Sequence, residues 1–185
     1  MKRLIVDMDN CITNALFLER INEFLGTDFK LDDQTEYNLQ NLTGDRLNEF
    51  WTFMKNKSFY DNAPLIEGAY DALKKLNDKY DLYIASSYLF LDSNPDLTGK
   101  HLKNKYEYLK KQLPFISPEK YIFINNKNII ESDIAIDDKL TNLGNSDKKI
   151  LFNAWHNKDI SEKELNEKGI VRVYTWQEIL SMLDY

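Results

Sequence analysis

Short apolar runs alternate with longer amphipathic stretches along most of the chain. Six runs are apolar without polar alternation, which is typical of strands buried on both faces of a sheet. They cover 4–6, 82–85, 121–124, 134–136, 150–152 and 171–174. Helical patterns lie between them at 69–79, 100–113, 161–168 and 175–183. This alternation predicts an α/β fold, a three-layer arrangement with helices on both faces of a parallel sheet.

Two of the helical stretches begin with the sequence of a capping box. Ser161 is followed three residues later by Glu164, and Thr175 by Glu178. A serine or threonine hydroxyl at this position accepts a hydrogen bond from a backbone amide that the first turn leaves free. Ser161 and Thr175 are therefore predicted to be N-cap residues.

One long segment interrupts this alternation, because no convincing strand occurs between about 13 and 67. Apolar residues recur there at helical spacing in two groups. They are Ile12, Leu16, Phe17, Ile21, Phe24 and Leu25, followed by Leu47, Phe50, Trp51 and Met54. The pattern predicts a small helical cap subdomain at 14–67, inserted after the first strand. The core domain would comprise 1–13 and 68–185, with 64–68 as the return hinge.

Composition and charge exclude several classes of protein. The net charge of −6 argues against a nucleic-acid polymer as partner. Cys11 is the only cysteine, so an intrachain disulfide is excluded and a reducing compartment is favoured. No run approaches the ~20 apolar residues of a membrane helix, and the first apolar run stops at Asp7, too short for a secretory signal. We expect a cytoplasmic protein without a membrane partner; nothing in the pattern indicates an oligomeric state.

Pairs of aspartates follow two of the predicted strands. Asp7 and Asp9 follow the first, and Asp137 and Asp138 follow the strand at 134–136. An Asp-x-Asp pair alone fits equally well a polar loop that caps the next helix. Adjacent carboxylates beside an apolar core repel each other, however, and a hard cation such as Mg²⁺ offsets that repulsion. Because parallel strands end at one edge, the two pairs predict one metal site there.

Hydroxyl and lysine side chains supply weaker signals for phosphate binding. Ser86 and Ser87 end the strand at 82–85, where hydroxyl and amide groups suit a phosphate oxygen, although serine is also ordinary in turns. Lys105 belongs to a lysine-rich helical stretch, and most of the lysines in this stretch must face solvent. Its place near the first turns would let its ammonium neutralise a phosphate.

The order of these motifs resembles that of the haloacid dehalogenase superfamily. Within it, the chain resembles the 5′(3′)-deoxyribonucleotidase, or cytosolic type C 5′-nucleotidase, family. The segments that carry the likeness are Val6-Asp7-Met8-Asp9, Ile84-Ala85-Ser86-Ser87, Lys105-Tyr106-Glu107-Tyr108-Leu109, Lys127-Asn128-Ile129-Ile130 and Phe152-Asn153-Ala154-Trp155-His156-Asn157. The likeness runs from 4 to about 157 and is faint in the insert. It implies a Rossmann-like core.

The resemblance also implies a mechanism. Asp7 would attack the phosphorus atom and form an aspartyl-phosphate, and Asp9 would serve as general acid and then as general base. Mg²⁺ would be held by the Asp7 carboxylate, the Asp9 backbone carbonyl and the pair Asp137 and Asp138, with Asp138 favoured as the direct ligand.

The same resemblance implies how the phosphate is held. Ser86 and Lys105 would bind the phosphoryl oxygens and stabilise their charge in the transition state. Ser87 and Lys127 are further candidates, which could equally be surface polar residues.

The chain departs from the family pattern near the first motif. Asn10 and Cys11 follow Asp9 where the family has a glycine or similar small residue and then valine or threonine, and we expect Cys11 to fill a small apolar slot. Ala15 stands where the family has a phenylalanine, six residues after the second aspartate. A nucleobase would therefore need other aromatic partners, for which Tyr37 and Trp51 are the candidates. Most other aromatic residues of the insert should form its own core.

The resulting expectation is an Mg²⁺-dependent phosphatase of nucleoside monophosphates, with pyrimidine deoxyribonucleotides as the preferred class. A phosphatase of sugar or other small-metabolite phosphates is the first alternative, because the insert would select the substrate and its sequence is the least informative. A binding module of the same fold without turnover is the second, and the intact acidic and lysine residues argue against it.

Overall fold

A six-stranded parallel sheet organises the chain in the computed structural model, which describes residues 1–33, 37, 40–89, 91 and 94–184. The strands are β1 (Arg3–Val6), β2 (Asp81–Ser86), β3 (Tyr121–Phe123), β4 (Ser132–Asp137), β5 (Ser146–Phe152) and β6 (Ile170–Val173). Their order across the sheet is β3-β2-β1-β4-β5-β6, and each neighbouring pair is parallel. The predicted α/β fold and all six predicted strands are therefore confirmed.

Among the described residues, four helices lie between β1 and β2, one between β2 and β3, one between β5 and β6, and one after β6. They are α1 (Phe17–Leu25), α2 (Gln40–Thr43), α3 (Leu47–Phe53), α4 (Ala69–Lys79), α5 (Pro95–Gln112), α6 (Glu162–Glu167) and α7 (Trp176–Met182). Short 3₁₀ turns cover Leu31–Asp33, Gly44–Arg46, Met54–Asn56, Pro118–Lys120, Lys127–Ile129 and Leu140–Leu143. Within the described ranges, no helix combines the length and the apolar character needed to cross a membrane.

Helix ends follow the capping chemistry of the sequence. The Ser161 hydroxyl accepts a hydrogen bond from the Glu164 amide at 3.2 Å, and the Thr175 hydroxyl accepts one from the Glu178 amide at 3.2 Å. Both predicted N-caps are thus confirmed. Helix α5 starts earlier than the predicted 100, because the Asn94 side chain caps it and a proline occupies its first position.

Hydrophobic residues pack on both faces of the sheet. Alternate residues of β4 point to opposite faces, so Ile134 and Ile136 join a large cluster that contains residues of α4, α5 and α7. Ala135, between them, joins a smaller cluster with Leu165 of α6 and Leu143. The sheet is therefore the middle layer of three, with helices packed on each of its faces, as the sequence predicted.

The segment between β1 and α4 forms the insert, and the regular elements among its described residues are helical or 3₁₀. Its two connections to the sheet run side by side. The Asn14 amide donates to the Pro64 carbonyl at 3.2 Å, and the Ile66 amide donates to the Ile12 carbonyl at 2.9 Å. The insert therefore leaves and returns at the carboxyl edge of β1. The boundaries at 13/14 and 67/68 stay predictions.

Replacement of Thr175 by alanine tests the capping chemistry of α7. We expect Thr175→Ala to lower the free energy of unfolding by about 1 kcal/mol, because the Glu178 amide loses its acceptor. Urea denaturation followed by circular dichroism measures the change. Gln177→Ala, at an exposed position of the same helix, is the matched control and should change stability by less than about 0.5 kcal/mol. Equal losses in the two variants would contradict the assignment.

Candidate active site

The candidate residues meet at the carboxyl edge of three adjacent strands. Asp7 follows β1, Ser86 ends β2 and Asp137 ends β4, and the sheet order places β1 between the other two strands. All three side chains are buried. The parallel topology therefore brings together residues that are separated by up to 130 positions in the chain.

Lys127 joins the nucleophile candidate to the first residue of the aspartate pair. Its buried ammonium donates to Asp7 Oδ1 and to Asp137 Oδ2, the second bond being 2.7 Å long. Burial alone would lower the pKa of Lys127, but the two carboxylates outweigh it and raise the pKa, so the side chain stays charged. Lys127 thus lies inside the site, and the alternative of a surface lysine is excluded.

Asp7 sits in an environment that disfavours its own ionisation. Burial raises its pKa to about 7, Lys127 opposes the shift, and Asp137 and Asp9 add to it. An anionic Asp7 near neutral pH thus depends on positive charge from Lys127 and from any cation bound beside it.

The two residues of the aspartate pair have different surroundings. Both oxygens of Asp137 are occupied, because Oδ1 accepts from the Lys139 amide at 2.8 Å and from Asn142 Nδ2 at 3.0 Å, while Oδ2 accepts from Lys127. For Asp138, Oδ2 lies 2.8 Å from Asn10 Nδ2 and 2.8 Å from His156 Nε2, and no hydrogen bond to Oδ1 is formed among the described residues.

Asp138 is also the member of the pair that faces Asp7. One carboxylate oxygen from each residue and the sulfur of Cys11 lie within 4.8 Å of one another. Burial raises the pKa of Asp138, as it does that of Asp7, so both carboxylates would gain from a nearby cation. Two buried carboxylates this close fit a hard divalent ion such as Mg²⁺.

Lys105 forms a second cluster with Asp9 and Ser86. Its ammonium lies 2.6 Å from Asp9 Oδ2 and 2.6 Å from Ser86 Oγ, and the side chain is only 1% exposed. Tyr60, from the insert, donates its hydroxyl to Asp9 Oδ1 at 2.9 Å. The hydroxyl of Ser87 forms no hydrogen bond with the described residues, and its carbonyl accepts from Ser86 Oγ at 3.3 Å.

A cavity of about 950 Å³ lies between the insert and the sheet edge. Asp9 and Asn10 line it next to β1, and Ala15, Tyr37 and Trp51 line it from the insert. Its size is within the range of small-molecule sites. The structure therefore brings the two base-contact candidates to the same cavity as the acid–base candidate.

The other aromatic residues of the insert pack mainly against one another. The ring of Phe50 lies 5.6 Å from that of Phe24 and 6.4 Å from those of Phe53 and Phe59. They form an interior for the insert, as expected. Tyr60 differs, because its hydroxyl reaches the site.

Several residues to which the sequence assigned no role support the site. Asn10 adopts a left-handed conformation, with φ of 58°, which asparagine tolerates better than most residues, and so fills a place otherwise suited to glycine. Asn157 Nδ2 donates to the Asp138 carbonyl at 2.7 Å, and buried Arg172 donates to Asn157 Oδ1 at 2.9 Å. The position of Asn10 directly after Asp9 was a signal from which its place in the site could have been predicted. No sequence pattern indicated Tyr60 or Arg172, because they reach the site only through tertiary packing.

Cys11 is fully buried, as its expected packing position requires. Burial raises the pKa of its thiol well above the usual range, and Asp138, Asp7 and Asp137 add to the shift. The thiol is therefore a poor nucleophile.

Comparison with known proteins points to one family. The family described as "5' nucleotidase, deoxy (Pyrimidine), cytosolic type C protein" matches residues 1–184. A protein of Bacillus subtilis (strain 168), named 5'(3')-deoxyribonucleotidase, is 32% identical over 183 residues, which cover 97% of each chain.

Solved structures share the fold at low sequence identity. A haloacid dehalogenase-like family hydrolase from Xanthomonas campestris has a TM-score of 0.58 and 10% identity, and the match covers 99% of this chain and 94% of that one. A haloacid dehalogenase-like family hydrolase from Streptococcus pneumoniae has a TM-score of 0.53 and 14% identity, with coverage of 100% and 99%. Their likeness concerns the fold.

Replacement of Lys127 by methionine tests the buried charge network. Without the ammonium, Asp7 and Asp137 stay buried without a cation, and their already raised pKa values should rise further. A carboxyl group whose pKa is raised by folding opposes folding increasingly as pH rises from its unfolded-state pKa of about 4 to its higher folded-state pKa. We expect Lys127→Met to cost about 3 kcal/mol at pH 8 and clearly less at pH 5.

Urea denaturation with EDTA present measures this difference, because a bound divalent ion would replace part of the missing charge. Lys163→Met, at an exposed position of α6, serves as the control and should leave stability unchanged at both pH values. A loss in Lys127→Met that does not depend on pH would contradict the charge assignment.

Proposed function

Because the chain belongs to the cytosolic type C 5′-nucleotidase family, we propose that it hydrolyses nucleoside monophosphates, pyrimidine deoxyribonucleotides in particular. The chain is a phosphoric monoester hydrolase of the haloacid dehalogenase superfamily. The observation that carries the proposed residue roles is the pairing of the two motif aspartates with separate buried lysines, Asp7 with Lys127 and Asp9 with Lys105. The family description supports the cytoplasm as the site of action.

In the proposed first step, a carboxylate oxygen of Asp7 attacks the phosphorus atom of the ester. A bond forms between that oxygen and phosphorus, and the bond from phosphorus to the ester oxygen breaks. The ester oxygen leaves with the electron pair and takes a proton from the carboxylic acid of Asp9. The products of this step are the alcohol and an aspartyl-phosphate at Asp7.

In the second step, a water molecule attacks the phosphorus atom of the aspartyl-phosphate. The carboxylate of Asp9 takes a proton from the water, and the bond between phosphorus and the Asp7 oxygen breaks. Inorganic phosphate is released, Asp7 returns as a carboxylate and Asp9 returns as the acid. The same side chain thus serves as acid and then as base.

Lysine and serine side chains stabilise the negative charge of the phosphoryl group. Lys105 Nζ and Ser86 Oγ lie together beside Asp9, where they can donate to phosphoryl oxygens. Lys127 keeps Asp7 anionic and is itself held by Asp137. Ser87 is a weaker candidate for phosphate binding. It follows Ser86 in the chain, but its hydroxyl bonds to none of the described residues of the site.

We assign the Mg²⁺ ligands to Asp7, Asp138 and the backbone carbonyl of Asp9. Asp137 was predicted with them, but both of its oxygens already accept hydrogen bonds, so we propose that it positions Lys127. When bound, the ion offsets charge between the anionic nucleophile and the anionic substrate.

We propose that residues 14–67 act as a cap that closes the site and that 1–13 and 68–185 form the core domain. Tyr37 and Trp51 would contact the nucleobase, because both line the cavity next to Asp9. Ala15 lines the same cavity and leaves room for a base, and the rings of Tyr37 and Trp51 offer faces for stacking.

A panel of phosphate esters with Mg²⁺ tests the substrate class. We expect dUMP and dTMP to be hydrolysed at least about tenfold faster, as kcat/KM, than sugar phosphates, with release of inorganic phosphate as the measurement. Asp7→Asn is the matched inactive variant, and its activity should fall by at least about 10³-fold, since it lacks the nucleophile.

Two results would contradict the proposal. Efficient turnover of sugar phosphates without turnover of the deoxynucleotides would contradict the proposed substrate class but not the proposed phosphatase chemistry. Full activity in Asp7→Asn would contradict the proposed mechanism.

Replacement of Asp138 tests the metal assignment. Asp138→Asn should raise the Mg²⁺ concentration for half-maximal activity at least about tenfold, since a direct ligand loses its charge. Calorimetric titration with Mg²⁺ should show the same weakening without substrate. Asp159→Asn, at an exposed position, is the control and should bind Mg²⁺ as the parent does. Activity that persists after complete removal of divalent ions with EDTA would refute the Mg²⁺ assignment.

A further inference from the structure

Tyr60 links the insert to the acid–base aspartate. Its side chain is buried, and its hydroxyl lies 2.9 Å from Asp9 Oδ1 and 3.3 Å from Oδ2. Among the described residues, Tyr60 is the residue of the insert whose side chain bonds to Asp9. The contact crosses 51 positions in the chain, so it depends on how the insert is seated on the sheet.

The two oxygens of Asp9 face different neighbours. Oδ2 lies 2.6 Å from Lys105 Nζ, which also lies 2.6 Å from Ser86 Oγ, so this oxygen is on the side of the proposed phosphate site. Of the two contacts that the Tyr60 hydroxyl makes with Asp9, the one to Oδ1 is the shorter. A hydrogen bond that holds Oδ1 restricts rotation of the carboxyl group and leaves Oδ2 directed at the oxygen that must be protonated.

Tyr60 can hold Asp9 through both steps of the reaction. A phenol keeps its proton at neutral pH, so Tyr60 is a neutral donor. A phenol donates to a carboxylate oxygen and equally to the carbonyl oxygen of a carboxylic acid. Lys105, by contrast, is shared with Ser86 and would turn toward the phosphoryl group when substrate binds.

The ring of Tyr60 is itself held by packing. It lies 5.4 Å from the ring of Tyr108 and 5.9 Å from that of His101, both on α5. The Tyr108 hydroxyl lies 2.7 Å from Thr13 Oγ1 and donates to the Ala63 carbonyl at 3.0 Å. These contacts join the return segment of the insert to the core, so the position of the Tyr60 hydroxyl is well defined.

We propose that Tyr60 is a positioning residue that orients Asp9 for proton transfer, so that the insert contributes to the chemical step as well as to substrate selection. This inference rests on the proposed phosphatase function. General acid–base groups contribute roughly 10²–10⁴-fold to rate and need accurate placement, so loss of the orienting bond should remove part of that factor.

Tyr60→Phe compared on two substrates tests the proposal. The alcohol that leaves from dUMP is a weak acid and needs a proton, whereas nitrophenolate leaves from p-nitrophenyl phosphate without one. The value of kcat/KM reports the steps up to the first bond cleavage. We expect it to fall at least about tenfold for dUMP and by less than about twofold for p-nitrophenyl phosphate.

Tyr121→Phe is the matched control. It also removes one phenol hydroxyl, but that hydroxyl donates to the Ile116 carbonyl at 3.2 Å and has no part in holding Tyr60 or Asp9. Its effect should be similar for the two substrates. Asp9→Asn supplies the reference, with a larger loss for dUMP than for p-nitrophenyl phosphate.

The double variant gives a second measurement. If Tyr60 acts through Asp9, Tyr60→Phe should have no further effect on dUMP hydrolysis in the Asp9→Asn background. Equal losses of Tyr60→Phe on both substrates, or an undiminished effect in the double variant, would overturn the inference. Failure of the parent protein to hydrolyse either ester would count against the proposed function itself, so the two failures are distinguishable.

Discussion

Burial of several carboxylates at one edge of the sheet is the constraint on which the rest of the site depends. Asp7, Asp137 and Asp138 are nearly inaccessible to solvent, and burial raises the pKa of each. Such a cluster is stable as anions only if cations are held against it. Lys127 supplies one fixed positive charge, and the close approach of Asp7 and Asp138 leaves a place for a second.

Two lysines give the proposed nucleophile and the proposed acid–base residue different electrostatic surroundings. Asp7 contacts Lys127, which Asp137 also holds, whereas Asp9 contacts Lys105, which Ser86 shares. Asp7 and Asp9 are two residues apart, and their separate partners allow them different roles. Asp9 also lies on the cavity, 19% exposed as a side chain, where a substrate oxygen can reach it.

The insert shapes the site from the side opposite the sheet. Tyr37 and Trp51 line the cavity, and Tyr60 donates to Asp9. Because the two connections of the insert bond to each other at Asn14 and Pro64, its position is coupled to the end of β1, which is followed by the proposed nucleophile. The insert and the first aspartate motif are therefore directly connected at this point.

The strands, the main helices, their caps and the four motifs could be read from the amino-acid sequence. Alternation of apolar runs with amphipathic stretches reports burial directly, and Asp7, Ser86 and Asp138 stand at or beside strand ends, where parallel topology must gather them. Lys105 was expected near the first turns of its helix, but it lies in the middle of α5, because the helix begins at Pro95. Which lysine contacts which aspartate, and the contact of Tyr60 with Asp9, became evident only in the folded protein. Such pairings depend on packing between segments far apart in the chain, and periodicity carries only local information.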